Sequence, residues 1–316
     1  MVQLKKYIRP YWGFIILTLL IKFLGTATEL MIPSLMEVML DEKVPAGEAK
    51  AIWIYGGWML LCALGCLAGN IIANRMSAVS SGKITRAIRH DLFEKLQSLS
   101  ARQMDELTIP SAESRLTSDT YNVNQLLTRI QRMGIRAPIL LVGGIIMLVQ
   151  MDIQLSLILV GLLPVIALVV YFVTKKSMPL YTAQQSALDS VVRVVQENIT
   201  GIRVIKALSK TEYEKGRFEG VNKNLTEIGL KAGMTTSVTG PVTSVVLNLG
   251  LTLVVVVGAF RVNGGAIESS VIIAALQYFV MILNAMVGIT RIFVMWSKGE
   301  ASALRVAEVL AMPEDL

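Results

Sequence analysis

The hydrophobic positions fall into six long blocks separated by polar stretches of unequal length. The blocks are residues 13–39, 51–75, 137–150, 155–173, 234–260 and 270–296. A bilayer core about 30 Å thick needs roughly 20 apolar residues in a helix. Each block therefore reads as a span, the short third one borrowing turns from the polar helix before it. Residues 41–50, 151–154 and 261–269 are brief polar connections. Pro33 is expected to kink the outer end of the first span. Gly65 and Gly69 form a small-xxx-small pattern suited to helix packing.

Two polar stretches, about 77–136 and 175–232, keep helical periodicity although they are too charged for lipid. Ile84, Ala87, Ile88, Leu92, Leu96 and Leu99 make one apolar stripe, and Leu116, Val123, Leu126, Leu127 and Ile130 another. Nothing forces a stop between them until Thr108-Ile109-Pro110-Ser111, and helix resumes from Glu113. In the second stretch, Leu188, Val191, Val192, Val195, Ile199 and Ile202 continue the helix. Ile199, Ile202, Ile205 and Leu208 recur every third position. The spacing predicts a helix running on to a turn near Ser209-Lys210-Thr211-Glu212, with a return arm over 214–231. Arms of roughly 25 residues reach about 35–40 Å at ~1.5 Å per residue. The fold class is an all-α membrane protein: six long helices extended as two helical hairpins. Residues 1–12 form an interfacial elbow bent at Pro10, residues 13–300 the membrane domain and residues 301–316 a polar linker.

Composition supports this reading. The chain is 53% apolar and 17% charged, where soluble domains carry about a quarter charged residues. The net charge of +7 sits in the loops and does not point to nucleic acid. The first hairpin holds nine basic residues and the second ten, with three before the first span and three in the short loops. That asymmetry predicts both hairpins and both termini in the cytosol; the membrane is expected to be a cell membrane of bacterial inner-membrane type. Cys62 and Cys66 read as small buried residues on one helix face, and His90 as a solvated or interhelical side chain. No signal-peptide cleavage site follows the basic N-terminus.

Polar residues inside the apolar blocks are the candidates for a substrate cavity: Lys22, Glu29, Arg75, Asn248, Gln277, Asn284 and Arg291. Lys22 and Glu29, seven apart, share a face, and ionisable groups in a span usually face a bundle interior. Each could equally pair with a neighbouring helix. There is no GxxxxGK[ST] phosphate loop, zinc-ligand spacing or HExxH motif, so no catalysis and no metal are expected of this chain. What remains is mechanical: two levers whose tips could dock a partner, or, more plainly, arms that only brace one another.

Three segments resemble a known family. Gln196-Glu197-Asn198-Ile199-Thr200-Gly201-Ile202-Arg203-Val204-Ile205-Lys206-Ala207 with Glu212-Tyr213-Glu214-Lys215-Gly216-Arg217-Phe218 is similar to the second intracellular loop of six-span ATP-binding cassette (ABC) exporters. Arg115-Leu116-Thr117-Ser118-Asp119 resembles their first-loop motif, and Ala303-Leu304-Arg305-Val306-Ala307-Glu308-Val309-Leu310 their linker to the nucleotide-binding domain. The chain departs from the family at Gln103-Met104-Asp105, where paired aromatics are common, and at Ala112-Glu113, where Gly-Glu is common. No nucleotide-binding domain is expected within these residues, which reach only the linker toward one.

The resemblance implies an ATP-driven exporter subunit with ATP and magnesium bound in that other domain. It implies a second membrane subunit, in a homodimer or heterodimer, reached by the fourth and fifth spans. It also implies surrounding lipid and an amphipathic drug or lipid as substrate. Thr108, Ile109, Pro110, Ser111, Ala112 and Glu113 would be one coupling helix. Lys210, Thr211, Glu212, Tyr213, Glu214 and Lys215 would be the other. Two rival readings are an ion-coupled secondary transporter, which would call for internal repeats and an acidic relay, and a non-transporting membrane scaffold or receptor domain.

Overall fold

The computed structural model describes residues 5–313, and every regular element among them is helical. Six helical stretches are long and apolar enough to cross a membrane: Lys5–Lys43, Ala49–Gln97, Ile109–Met151, Ile153–Thr200, Thr211–Asn263 and Ser269–Ile289. The chain is a multi-pass membrane protein.

Helix α1 (Lys5–Ile8) passes through a 3-10 turn, Arg9–Tyr11, into α2 (Trp12–Val38). Pro10 lacks an N–H and fixes φ, which suits the tighter turn. The elbow is anchored by Tyr7, which is buried and donates its hydroxyl to Asp91 at 2.6 Å. Helix α2 continues through Pro33 to Val38 and ends in a π turn, Met39–Lys43. Helix α3 (Ala49–Gln97) then runs for 49 residues. At ~1.5 Å per residue it is about 74 Å long, more than twice the bilayer core, so its polar second half stands clear of lipid. The glycine pattern is explained by contact: a Cβ on Gly69 would sit 3.1 Å from the Gly25 Cα, so α2 and α3 meet backbone to backbone.

The first hairpin is more segmented than its periodicity predicts. Helix α3 stops at Gln97, ten residues before the expected turn. Ser98 turns its hydroxyl back to the Lys95 carbonyl, and Ser100 caps the next helix in a reciprocal box with Gln103. These local side-chain bonds outcompete helix continuation. Helix α4 (Ala101–Leu107) is followed by Thr108 at φ +64° and α5 (Ile109–Ser114). A π turn, Arg115–Asp119, leads into α6 (Thr120–Met133). The expected run from Glu113 to Arg136 is also broken, at Gly134 and Ile135, before α7 (Arg136–Met151). A Cβ at Gly134 would lie 2.4 Å from the Ile130 carbonyl oxygen, so this turn requires glycine. Pro138 falls in the first turn of α7, where its missing N–H costs no helix bond.

Asp152 makes the tight connection to α8 (Ile153–Thr200), accepting from the Leu155 N–H at 2.9 Å and from Arg261 Nε at 2.8 Å. Helix α8 spans 48 residues and carries Pro164 and Pro179 inside it. It ends at Gly201, before a separate short helix α9 (Ile202–Ala207). Helix α10 (Thr211–Ser237) returns. Helix α11 (Thr239–Asn263) starts just ahead of Pro241, whose missing N–H leaves the Ser237 carbonyl without its helix donor where α10 ends. Helix α12 (Ser269–Leu310) is continuous, so the expected linker is the end of the sixth helix; residues 314–316 of that linker and 1–4 of the elbow lie outside the described residues.

Packing divides the chain into two compact units. One comprises residues up to Leu159 and from Leu253 onward, and the other is Val160–Thr252. In the first, Tyr7, Ile84, Ile88, Leu92, Leu96, Leu107, Ala112, Val123, Ala303, Val306 and Val309 form one buried core. That core joins the elbow, the first tip and the end of α12. In the second, α8 and α10 run as a pair: Tyr181 and Thr236 share a hydrogen bond at 3.1 Å, and Arg217 bridges Glu197.

Candidate functional site

Three features of the structure could carry function: a polar cavity among α2, α7 and α12, and the two hairpin tips. The cavity has a volume of about 150 Å³ and is lined by Glu29, Met133, Arg136, Ala137, Leu140, Met281, Asn284, Ala285 and Gly288. Its charged wall is an ion pair: Arg136 Nη2 donates to both Glu29 carboxylate oxygens, at 2.8 and 3.0 Å. Beside it Lys22, only 4% exposed, donates from Nζ to the side-chain oxygens of Asn70 at 2.6 Å and Asn74 at 3.2 Å. Arg132 donates to the Asn74 backbone carbonyl at 3.1 Å.

Of the seven cavity candidates, the structure brings Glu29 and Asn284 into one wall and places Lys22 within electrostatic reach of Glu29 and Arg136. Gln277 lies elsewhere on α12, with its amide 3.4 Å from the Met36 sulfur. Arg75 is exposed on α3 and does not join the cavity. Asn248, in the other unit, is exposed and donates to the Ser244 carbonyl of its own helix at 2.8 Å. The Arg291 side chain lies outside the described residues. Arg136, Arg132, Asn70 and Asn74 are the residues sequence reasoning did not select. Arg136 is 107 positions from Glu29 and sits at the polar edge of its block, where basic residues usually mark topology. Only long-range pairing reveals it. Cys62 and Cys66 are free and half-exposed, not buried as expected.

At the first tip, Ala112 is buried and Ser111 half-buried, while Thr108, Ile109, Pro110 and Glu113 are exposed, Ile109 by 75%. The tip is held from beneath by α12. Arg305 grips the 3%-exposed Asp119, Asn122 donates to Ser302 at 3.0 Å, and Gln103 donates to the Pro313 carbonyl at 3.0 Å. Burial alone would raise the Asp119 pKa, but the Arg305 and Ser302 hydrogen bonds outweigh it and hold the carboxyl below its ordinary range. That carboxyl is therefore more acidic folded than unfolded. Its stabilisation is full above the ordinary carboxylate pKa and is lost as pH falls through the lower folded value. Replacing Asp119 with Ala is expected to cost about 1–2 kcal/mol, because Arg305 is half-exposed and keeps water as an alternative partner. Faster amide exchange over residues 302–310 would report it, and unchanged exchange there would count against the clasp.

The second tip differs from its expected form. The predicted coupling segment Lys210–Lys215 straddles the turn and the first residues of α10, and the separate short helix at the tip is α9, upstream of it. Gly201 ends α8, and Ser209 at φ +53° reverses the chain. Periodicity alone carried the helix through Gly201, whose lack of a side chain lowers helix propensity. This tip is apolar and open: Tyr213 is 67% and Leu208 64% exposed. Val204, Ile205, Leu208, Lys210, Tyr213 and Glu214 line a hollow of about 290 Å³ on one side. Ile202, Ile205 and Phe218 help line another, of about 510 Å³. His90, Asp91 and Glu94 bring ligand-type atoms within 4.8 Å of one another on α3, but Asp91 is already taken by Tyr7 and by Lys6 at 3.4 Å.

Six spans, two segmented polar hairpins and a C-terminal helix clasped to the first tip agree with a match of residues 15–286 to the family described as ABC transporter transmembrane region. The chain belongs to that family. It is 28% identical over 99% of its length to an uncharacterized ABC transporter ATP-binding protein of Mycobacterium tuberculosis, and covers 54% of that protein. It is 26% identical over 98% of its length to a similarly described Bacillus subtilis protein, again covering 54%. A multidrug resistance ABC transporter ATP-binding and permease protein of Lactococcus lactis is 21% identical over 98% of this chain, which covers 52% of it. This ABC membrane domain thus spans about half the length of the curated relatives it matches.

Proposed function

We propose that this ABC membrane domain forms half of the pathway of an ATP-driven exporter and receives its drive through the two hairpin tips. The supporting observation is the second tip. A helical hairpin carrying Val204, Leu208 and Tyr213 exposed at its end leaves an apolar surface in water that a docking partner would cover. The partner proposed is a nucleotide-binding domain, which holds ATP and magnesium; no residue of the membrane domain is assigned to that chemistry. The tips would be Thr108–Glu113 and the α9–α10 turn through Lys215, with both hairpins and both termini on the cytosolic side of a bacterial inner membrane. A second membrane subunit would complete the pathway. The separate packing of Val160–Thr252 supports a role for α8, α10 and α11 in reaching that subunit.

The substrate proposed is an amphipathic drug or lipid. A charged wall beside Met133, Leu140 and Met281 offers polar and adaptable apolar contacts together. The test is reconstitution of the protein joined to its ATP-binding half in proteoliposomes. ATP-dependent movement of a fluorescent amphiphile is expected. Movement that follows an ion gradient and ignores ATP would transfer the assignment to a secondary transporter, and no movement of any amphiphile would favour a scaffold.

A further inference from the structure

The charges around the Glu29 cavity do not balance. Among the described residues, Lys22 and Arg132 both donate to Asn74, Arg136 pairs with Glu29, and Lys22 lies within electrostatic reach of all three charged neighbours. Lys22 is held by two neutral amide oxygens and Arg132 by a neutral carbonyl. Arg136 engages Glu29 through Nη2 alone, and its Nε, like that of Arg132, is buried without a hydrogen-bond partner. Uncompensated cations within or at the edge of membrane helices are costly and mark pathways for charged species. Here Arg136 lines, with Glu29, a cavity well above the size a single water needs, with Asn284 as a neutral polar group and Met133, Leu140 and Met281 as apolar wall.

We propose that this cavity selects the anionic headgroup of an amphiphile, a phosphate or carboxylate on an apolar tail. The headgroup oxygens take the Arg136 Nη1 donors that Glu29 does not engage, in the field of Lys22 and Arg132, and the tail lies on the methionine and leucine side. This inference rests on the exporter reading and narrows its substrate class.

The test is equilibrium binding, without ATP, to the full chain in nanodiscs of neutral lipid. The probes are a fluorescent-tailed alkyl phosphate, the matched alkyl trimethylammonium and inorganic phosphate, each corrected against empty nanodiscs. The alkyl phosphate is expected to bind at least about ten-fold tighter than the ammonium, and inorganic phosphate much more weakly than either. Arg136→Gln should remove most of that preference. Because it strands Glu29, the charge-neutral pair Arg136→Gln with Glu29→Gln is the second variant; Lys22 and Arg132 remain in it, so the preference should fall at least about three-fold from wild type without vanishing. Equal or tighter binding of the ammonium to the wild-type chain overturns the proposal, as does a phosphate preference that is undiminished in the double variant. Inorganic phosphate binding as tightly as the alkyl phosphate would mark a free-anion site and overturn the amphiphile assignment. ATP-driven export of the ammonium but not the phosphate would overturn this inference and leave the exporter reading standing.

Discussion

Replacing Tyr213 with alanine is expected to cut ATP-driven transport about ten-fold or more while leaving ATP hydrolysis within about two-fold and the folded membrane domain intact. Tyr213 is 67% exposed, so truncating it removes little internal packing. It stands beside Val204, Ile205 and Leu208 in the hollow at the second tip, an aromatic anchor in an apolar setting. Such residues dominate interface energetics, at about 2 kcal/mol or more each, roughly a 30-fold change in a docking equilibrium. A loss of docking at this tip would separate the two activities: the ATP-binding half would turn over without moving the helices. Transport and hydrolysis measured side by side in proteoliposomes check it. If both persist at wild-type levels, the tip is not the coupling surface. If both fall with the melting temperature, the effect is structural.

Gly69→Leu is expected to abolish recovery of folded protein, whereas Gly65→Ala, one turn away on the same helix, should be tolerated. The contrast follows from what each new side chain meets. At Gly69 the neighbour is the Gly25 Cα at 3.1 Å, backbone that can yield only if α2 and α3 separate; at Gly65 it is the Thr28 side chain at 3.7 Å, an ordinary contact. Separating α2 from α3 would also pull Lys22 from Asn70 and Asn74, stranding a buried cation. Overpacking of this kind costs about 1–3 kcal/mol before the charge is counted, and the stranded charge adds several more. Retention of fluorescence-detected monodisperse protein after detergent extraction measures both variants. A well-folded Gly69→Leu protein would show that the close approach is dispensable.

The architecture was legible because its signal is long. Blocks of apolar residues and stripes such as Ile84, Ile88, Leu92 and Leu96 specify a helix and its buried face over many turns, and the structure buries all four. The breaks were not legible, because each depends on one or two residues that periodicity averages away. The Ser98 and Ser100 side-chain bonds, the forbidden Cβ at Gly134 and the end of α8 at Gly201 each override a stripe that reads as continuous. The cavity shows the same limit. Glu29 and Asn284 announce themselves as polar residues in apolar blocks, but Arg136 joins them only through folding, and nothing local distinguishes it from the other basic residues that end a span. Arg75 and Asn248 carry the same sequence signal as Glu29, and the structure leaves both facing outward. A polar residue within a span is thus a reason to look for a partner and is not by itself a site.

The most direct test of the whole account is to place a photo-crosslinking amino acid at position 208, 64% exposed at the second tip, in the membrane domain joined to the proposed nucleotide-binding domain. Illumination in membranes is predicted to capture the nucleotide-binding domain, and the same label at position 230, at the membrane end of the return arm, is predicted not to. Crosslinks from position 208 that reach only lipid or its own hairpin, in protein that still hydrolyses ATP, would contradict it.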